Sequence, residues 1–401
     1  LCLLFILQID PLSQHLFALE PKRWRPLRIK LSPVFTSGKL KEMFPLISEC
    51  AEHLEQYIKK LVNKNEPIEC RELTAKYTTD VTGTCIFGIE MNALSDENSE
   101  FRRMGRMFFT PTWKNTLRLR LRQCHDSIKW LYEMLNYIVT QTEINKFFTR
   151  IVVEIMNYRE TNNVIRHDFI DMLLKLKKNP DKVGDIKMTE SLIASQAFVF
   201  FLAGFEISSI TMSNTLYELA LNQEIQDKLR EEIDEEYTKH DNNLTYENVK
   251  KMNYLDKVFK ETLRKYPPTT FLTRQSTSSY TFDGTTLNIP KDQKVWIPVF
   301  AIHRDPDIYP KPDVFDPERF TDETVQARHA MHYLPFGDGS RNCIGTRFAV
   351  YQTKIGLIKI LRNYKVETCD KTQIPYVIDS KTFLLTSKGG IYLRITKINQ
   401  A

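Results

Sequence analysis

The stretch Phe198-Val199-Phe200-Phe201-Leu202-Ala203-Gly204 is apolar around the whole turn of a helix, inside a helical pattern running over residues 192–222. A helix without a polar stripe has to be buried on every side, so the chain must wrap it in other elements. Thr189 is placed to cap its N-terminus. The 401 residues, 42% of them hydrophobic, can bury a core of that size. No linker, low-complexity segment or internal repeat divides them, so a single domain over 1–401 is expected.

Around this helix the pattern is mainly helical. Residues 21–62 read as two helices broken near Ser32-Pro33 and Pro45, and 78–87 as a mixed helical stretch ending at Gly88. Helical signals over 100–159 are interrupted at Pro111 and in the alternation Leu117-Arg118-Leu119-Arg120-Leu121-Arg122. A helix over 253–266 is stopped by Pro267-Pro268. Short strands with a turn at Asp283-Gly284 occupy 269–300, and an irregular Pro/Asp-rich stretch follows over 305–322. Helix returns after Cys343 to Asn363, and strands near 382–385 and 391–395 end the chain. The expected class is mainly α with a minor β portion.

Composition excludes several functions. Seven cysteines, an odd number without a CxxC pair, argue against a disulfide framework or a zinc site and fit a reducing compartment. The net charge of +6 is spread along the chain, unlike the dense basic stripe that nucleic acid requires. It suits an acidic protein partner or an anionic membrane surface. The opening Leu1-Cys2-Leu3-Leu4-Phe5-Ile6-Leu7 is too short to span a bilayer and lacks the basic flank of a signal peptide.

The chemistry concentrates in Phe336-Gly337-Asp338-Gly339-Ser340-Arg341-Asn342-Cys343-Ile344-Gly345, directly before a helix. A thiolate there gains from the helix dipole and unpaired amides. Gly337 and Gly339 allow positive-φ turns around the sulfur. Gly345 leaves room for a flat ligand, and Arg341 offers a fixed cation. Soft anion, open surface and carboxylate clamp are together what haem–thiolate ligation needs; a buried structural cysteine in a glycine-rich turn is the alternative.

The spacing Phe-x-x-Gly-x-Arg-x-Cys-x-Gly resembles the cytochrome P450 family, and within it the insect microsomal branch of clan three, of the family-six kind. The resemblance covers roughly residues 10 to 397 and implies the P450 fold. Microsomal members carry an N-terminal anchor, a first helix and first strands, so an N-terminally truncated chain is expected.

The resemblance assigns roles residue by residue. Cys343 becomes the iron ligand, with Phe336, Gly337, Gly339, Arg341 and Gly345 around the haem. Trp24 and Arg28, four apart on one helical face, Arg274 in Phe271-Leu272-Thr273-Arg274, and Arg341 become partners of the haem propionates. The bland alternative for Trp24 and Arg28 is a surface aromatic beside a base. Lys22, Arg23, Arg25 and Lys30 are either solvated or dock an acidic flavoprotein reductase. Glu261 and Arg264 share a face of their helix; with Arg319 of Phe315-Asp316-Pro317-Glu318-Arg319-Phe320 they become a buried structural charge network. Taken alone, that pair is an ordinary exposed ion pair worth little.

In Ala203-Gly204-Phe205-Glu206-Ile207-Ser208 the small Ala203 and Gly204 leave space for O2 and substrate, and Glu206 relays protons from bulk water. The family usually places Thr where this chain has Ile207, which can neither donate nor accept a hydrogen bond. Ser208 points another way. Pocket positions map onto Phe200, Ile207, Thr270, Phe271, Phe383 and Leu384, each equally readable as core; together they imply a lipophilic substrate. His303 reads as structural.

The implied function is a monooxygenase that inserts one oxygen atom from O2 into a lipophilic molecule. Its electrons come from NADPH through a P450 reductase, with cytochrome b5 and the membrane surface as further partners, at the cytosolic face of the endoplasmic reticulum. Two rivals follow from Ile207: a P450-like isomerase or dehydratase, and a haem-binding relic with impaired catalysis.

Overall fold

The computed structural model describes residues 11–110, 112–113, 142–179 and 186–398; the opening apolar run, Pro111 and the basic alternation over 117–122 lie outside them. Helices α1 (Pro21–Leu31) and α2 (Ser37–Val62) are joined by a 3₁₀ turn at Ser32–Phe35. Strand β1 (Ile68–Glu69) leads into α3 (Cys70–Thr82), then come α4 (Glu100–Phe109), α5 (Thr142–Thr161), α6 (Phe169–Lys178) and α7 (Glu190–Leu221). After them follow α8 (Gln223–Lys239), α9 (Tyr246–Lys251) and α10 (Asn253–Lys265). Strands β2 (Leu272–Gln275), β3 (Tyr280–Thr281), β4 (Asn288–Ile289) and β5 (Lys294–Ile297) precede the short helices α11 (Val299–Ile302) and α12 (Asp322–Ala327). Helix α13 (Thr346–Asn363) and strands β6 (Tyr364–Glu367) and β7 (Tyr392–Lys397) close the order. The class is mainly α with a small β portion, as expected.

The chain forms two compact units. The first is helical and takes the described residues up to Glu66, Glu72–Ser209 and Arg347–Ile360. At its heart is α7, whose Leu192 amide donates to the capping Thr189 hydroxyl at 3.2 Å. Phe201 packs on Phe148 at 5.0 Å and on Phe205 at 4.9 Å, and Phe148 on Phe198 at 5.0 Å. By length and apolarity α7 could cross a bilayer, yet 78% of its most apolar window is buried in protein. That burial is the behaviour of a core helix.

Two local breaks in regularity shape the first unit. Helix α2 does not break at Pro45, contrary to expectation. Leu40 and Met43 before the proline and Ile47, Ala51, Leu54 and Ile58 after it line one buried face. Each large side chain so buried stabilises by about 1.5–3 kcal/mol, and together they outweigh the roughly 3 kcal/mol an interior proline costs. Helix α3 continues into a π-helical turn at Gly83–Phe87 that ends on Gly88 at φ 65. There the buried Arg159 donates to the Phe87 carbonyl at 2.8 Å and to Asp168 and Asp171, each at 2.7 Å. A Cβ on Gly88 would stand 2.4 Å from the Asp168 carboxylate, so glycine is required twice over.

The second unit takes Pro67–Arg71, Ile210–Thr346 and the chain from Leu361 onward, and it holds all the strands described. An antiparallel sheet in the order β1-β7-β6 pairs Ile68 with Leu393 and Val366 with Ile395. The β2–β5 ladder pairs Arg274 with Val295, and the β3–β4 hairpin turns at Gly284, φ 71. The strand expected over 382–385 is absent. Thr382 there folds its hydroxyl onto the carbonyls of Asp379 (3.0 Å) and Leu384 (2.8 Å), making a tight loop beside an isolated Ile378–Ser387 bridge. Strands β1 and β6 were not foreseen; both flank long helices, whose periodic pattern masks short alternations.

Candidate active site

The cysteine loop lies in the second unit and is built by its own backbone. Gly337 and Gly339 hold φ 66 and 74, the left-handed region the sequence required of them. The Gly337 amide donates to the Leu334 carbonyl at 3.1 Å, that of Asn342 to Gly339 at 3.1 Å and that of Cys343 to Phe336 at 2.8 Å. The Thr346 hydroxyl donates to the Cys343 carbonyl at 3.0 Å, and α13 starts at that residue. Cys343 is exposed, whereas Cys50, Cys70 and Cys85 are buried. Burial pushes the Cys50 thiol up to about 12 and raises Cys70 and Cys85 well above the ordinary range, so these three are inert.

Arg274 on β2 reaches the same loop, its Nη2 3.4 Å from the Asp338 carbonyl. Arg341 is half-buried in the loop's own 3₁₀ turn. In the first unit, Trp24 is buried and Arg28 half-buried on α1. They occupy one face at i and i+4, as expected.

Glu261, Arg264 and Arg319 come together. Arg264 is fully buried and grips Glu261 with Nε at 2.6 Å and Nη2 at 2.8 Å. Arg319 Nε stands 3.6 Å from the same carboxylate, and the Asp316 amide donates to it at 3.0 Å. Burial raises the Glu261 carboxyl; the Arg264 guanidinium works against that shift. The exposed-ion-pair alternative fails on burial. His303, structural by sequence, is tied to this pair: its carbonyl accepts from Arg264 Nη1 at 2.9 Å. Its Nε2 accepts from the Leu334 amide at 2.8 Å. Desolvation, then the Arg264 charge, lowers its pKa to about 4.

In the first unit, α7 opens along one stripe. Ala203 is exposed and Val199, Gly204 and Ile207 are half-buried, while Phe205, Glu206 and Ser208 are buried. Residues 199, 203 and 207 are four apart and stack on one face. Val199 was missed by sequence, although counting back four from Ala203 finds it. Phe200 instead points into the core, 5.3 Å from Phe35 and 4.4 Å from Phe169. A Cβ on Gly204 would meet the Thr82 hydroxyl at 2.9 Å; close helix approach explains this glycine as much as ligand space does.

Two polar side chains of this segment are buried. Glu206 is only 2% exposed, so a proton relayed from bulk water reaches it through other groups. Ser208 faces inward, its hydroxyl accepting from Gln352 Nε2 at 2.6 Å. Gln352 also donates to the Gly204 carbonyl at 2.7 Å; no motif pointed to it. Of the other pocket positions, all in the second unit, Phe271 stacks on Trp296 at 4.8 Å and the half-buried Thr270 accepts the Phe300 amide at 2.9 Å. Phe383 is half-exposed and Leu384 buried.

An exposed thiol on a backbone-braced loop and a small-residue opening in a core helix are each suited to a flat apolar ligand, so the donor set fits haem. The family model described as "Cytochrome P450" matches residues 4–394. Cytochrome P450 6a8 of Drosophila melanogaster is 45% identical over 397 residues, covering 97% of this chain and 78% of its own length. Cytochrome P450 6a2 of the same fly is 43% identical with the same coverage. Cytochrome P450 6A1 of Musca domestica is 40% identical, covering 98% and 77%. They support oxygen insertion over isomerisation or a relic. The chain therefore belongs to the cytochrome P450 family, haem–thiolate monooxygenases that use O2 and NADPH-derived electrons from a reductase to oxidise lipophilic small molecules.

Proposed function

We propose that Cys343 is the thiolate ligand of the haem iron; the bound haem supplies oxygen activation. The single observation that carries this reading is an exposed cysteine whose amide is held by the Phe336 carbonyl in a loop of two positive-φ glycines. Phe336, Gly337, Gly339 and Gly345 shape the loop, and Trp24, Arg28, Arg274 and Arg341 bind the haem carboxylates. Glu261, Arg264 and Arg319 support the loop's surroundings and take no part in the chemistry.

Ala203 and Gly204 would leave room for O2 and substrate, and Ile207 stands where the family usually places a threonine hydroxyl. Val199 and Ile207 in the first unit, and Thr270, Phe271 and Phe383 in the second, are the candidate substrate contacts; Phe200 packs on Phe35 and Phe169, and Leu384 is buried. Glu206, buried on α7, would relay protons. The interleaving of both units along the sequence supports one functional domain over 1–401. Cytochrome b5 and the cytosolic face of the endoplasmic reticulum membrane complete the setting, with Lys22, Arg23, Arg25 and Lys30 on α1 as a basic surface.

The test is spectroscopic. Wild-type protein loaded with haem, reduced and exposed to carbon monoxide should absorb at the long-wavelength thiolate position, and Cys343→Ala should abolish that band. A band that survives the substitution refutes the assignment.

A further inference from the structure

His303 links the buried Glu261–Arg264 pair to the cysteine loop. Its side chain is fully enclosed, stacked on Tyr333 at 5.4 Å with the rings 20° apart, and edge-on to Tyr309 at 6.4 Å. Its backbone is held at both ends: the amide donates to Val299 at 2.9 Å and the carbonyl accepts from Arg264 at 2.9 Å. An amide can only donate, so the 2.8 Å contact from Leu334 requires a lone pair on Nε2 and assigns the ring proton to Nδ1. From Leu334 the path continues in short steps. Its carbonyl accepts the Gly337 amide at 3.1 Å, and the Phe336 carbonyl between them accepts the Cys343 amide at 2.8 Å.

We propose that His303 is a positioning residue for the cysteine thiolate: by accepting the Leu334 amide proton, it pins the edge of the loop that holds Cys343. The proposal rests on Cys343 being the iron ligand. Its physical content is that a buried amide deprived of its acceptor must find another. The Leu334 backbone would then shift, and the Phe336–Cys343 hydrogen bond with it. The neutral ring suits the task because a protonated one could not accept, and the burial and cationic neighbour described above keep it neutral.

The experiment compares haem-loaded wild type with His303→Leu and His303→Gln, whose Oε1 can accept in place of Nε2. In His303→Leu the reduced carbonyl complex should pass from the thiolate-type to the thiol-type band about tenfold faster under mild heating. Amide exchange over residues 334–343 should accelerate in parallel. His303→Gln should stay within about threefold of wild type. Wild-type behaviour of His303→Leu overturns the proposal; so does equal damage in both variants, which would mean that ring packing matters and the acceptor does not.

If His303→Leu does not fold, Leu334→Pro removes the donor while keeping the histidine, and normal loop kinetics there overturn the proposal equally. Survival of the thiolate band in Cys343→Ala would sink the ligand assignment alone, with amide exchange still deciding the role of His303.

Discussion

At the scale of single residues, the proposed site makes Ile207 the position to test for coupling between oxygen chemistry and electron supply. The open stripe of α7 carries Val199, Ala203, Gly204 and Ile207, none with a side-chain donor or acceptor. The nearest hydroxyl in sequence, on Ser208, is engaged inward by Gln352 at 2.6 Å. Ile207→Thr should therefore lower the peroxide released per NADPH consumed, by about tenfold where proton delivery limits, whereas Ser208→Ala should leave that ratio within about twofold. A coupling assay with any turned-over lipophilic substrate reads both.

His303 carries a pH signature. Its folded pKa is about 4 against an ordinary value of 6.5. Between those values the unfolded chain binds a proton that the folded chain refuses. The contribution is thus complete above pH 6.5 and is lost as pH falls through about 4, amounting to roughly 3 kcal/mol at full size. The charges around the ring, Arg264 and Arg328, oppose protonation. Denaturant titrations from pH 4 to 7 should show a shallower pH slope in His303→Gln than in wild type. The motif spacing told where Cys343, Arg264 and Glu261 would matter. His303 reads as structural but without its partner, and nothing marks Gln352, because a buried acceptor or amide leaves no periodic or clustered trace in a sequence.

At the scale of elements, local rules were legible wherever one force dominated. The Thr189 cap, the Pro267-Pro268 stop and the two loop glycines appear as expected, each being a backbone constraint that residue type expresses directly. Pro45 did not, because a buried stripe across many turns outvotes one lost hydrogen bond. Pro45→Ala should accordingly raise stability by about 1 kcal/mol or more, measured by chemical denaturation.

Gly204 offers a sharper check. Gly204→Ala forces a methyl to within 2.9 Å of the Thr82 hydroxyl and should cost about 1–3 kcal/mol. Adding Thr82→Ala should recover most of that loss. Arg159→Leu should be far worse, about 3–5 kcal/mol, because Asp168 and Asp171 would remain buried together without their cation.

At the scale of the molecule, the all-apolar pattern of α7 already demanded a body thick enough to enclose it. What composition could not express is that the chain forms two compact units. Nor could it express that the first unit draws Arg347–Ile360 from late in the chain. That borrowing has a consequence for biosynthesis. The Tyr77 hydroxyl donates to the Gln352 carbonyl at 3.0 Å across 275 residues of sequence. At ribosomal speeds of roughly 10 residues per second, the early helices wait about half a minute for the segment that seals them. Through that interval the sites at Tyr77, Gly204 and Ser208 that Gln352 will cover stay open, so nascent chains should need chaperone cover, and a stop codon placed just before Arg347 should yield aggregate where full-length chains yield soluble, haem-loaded protein.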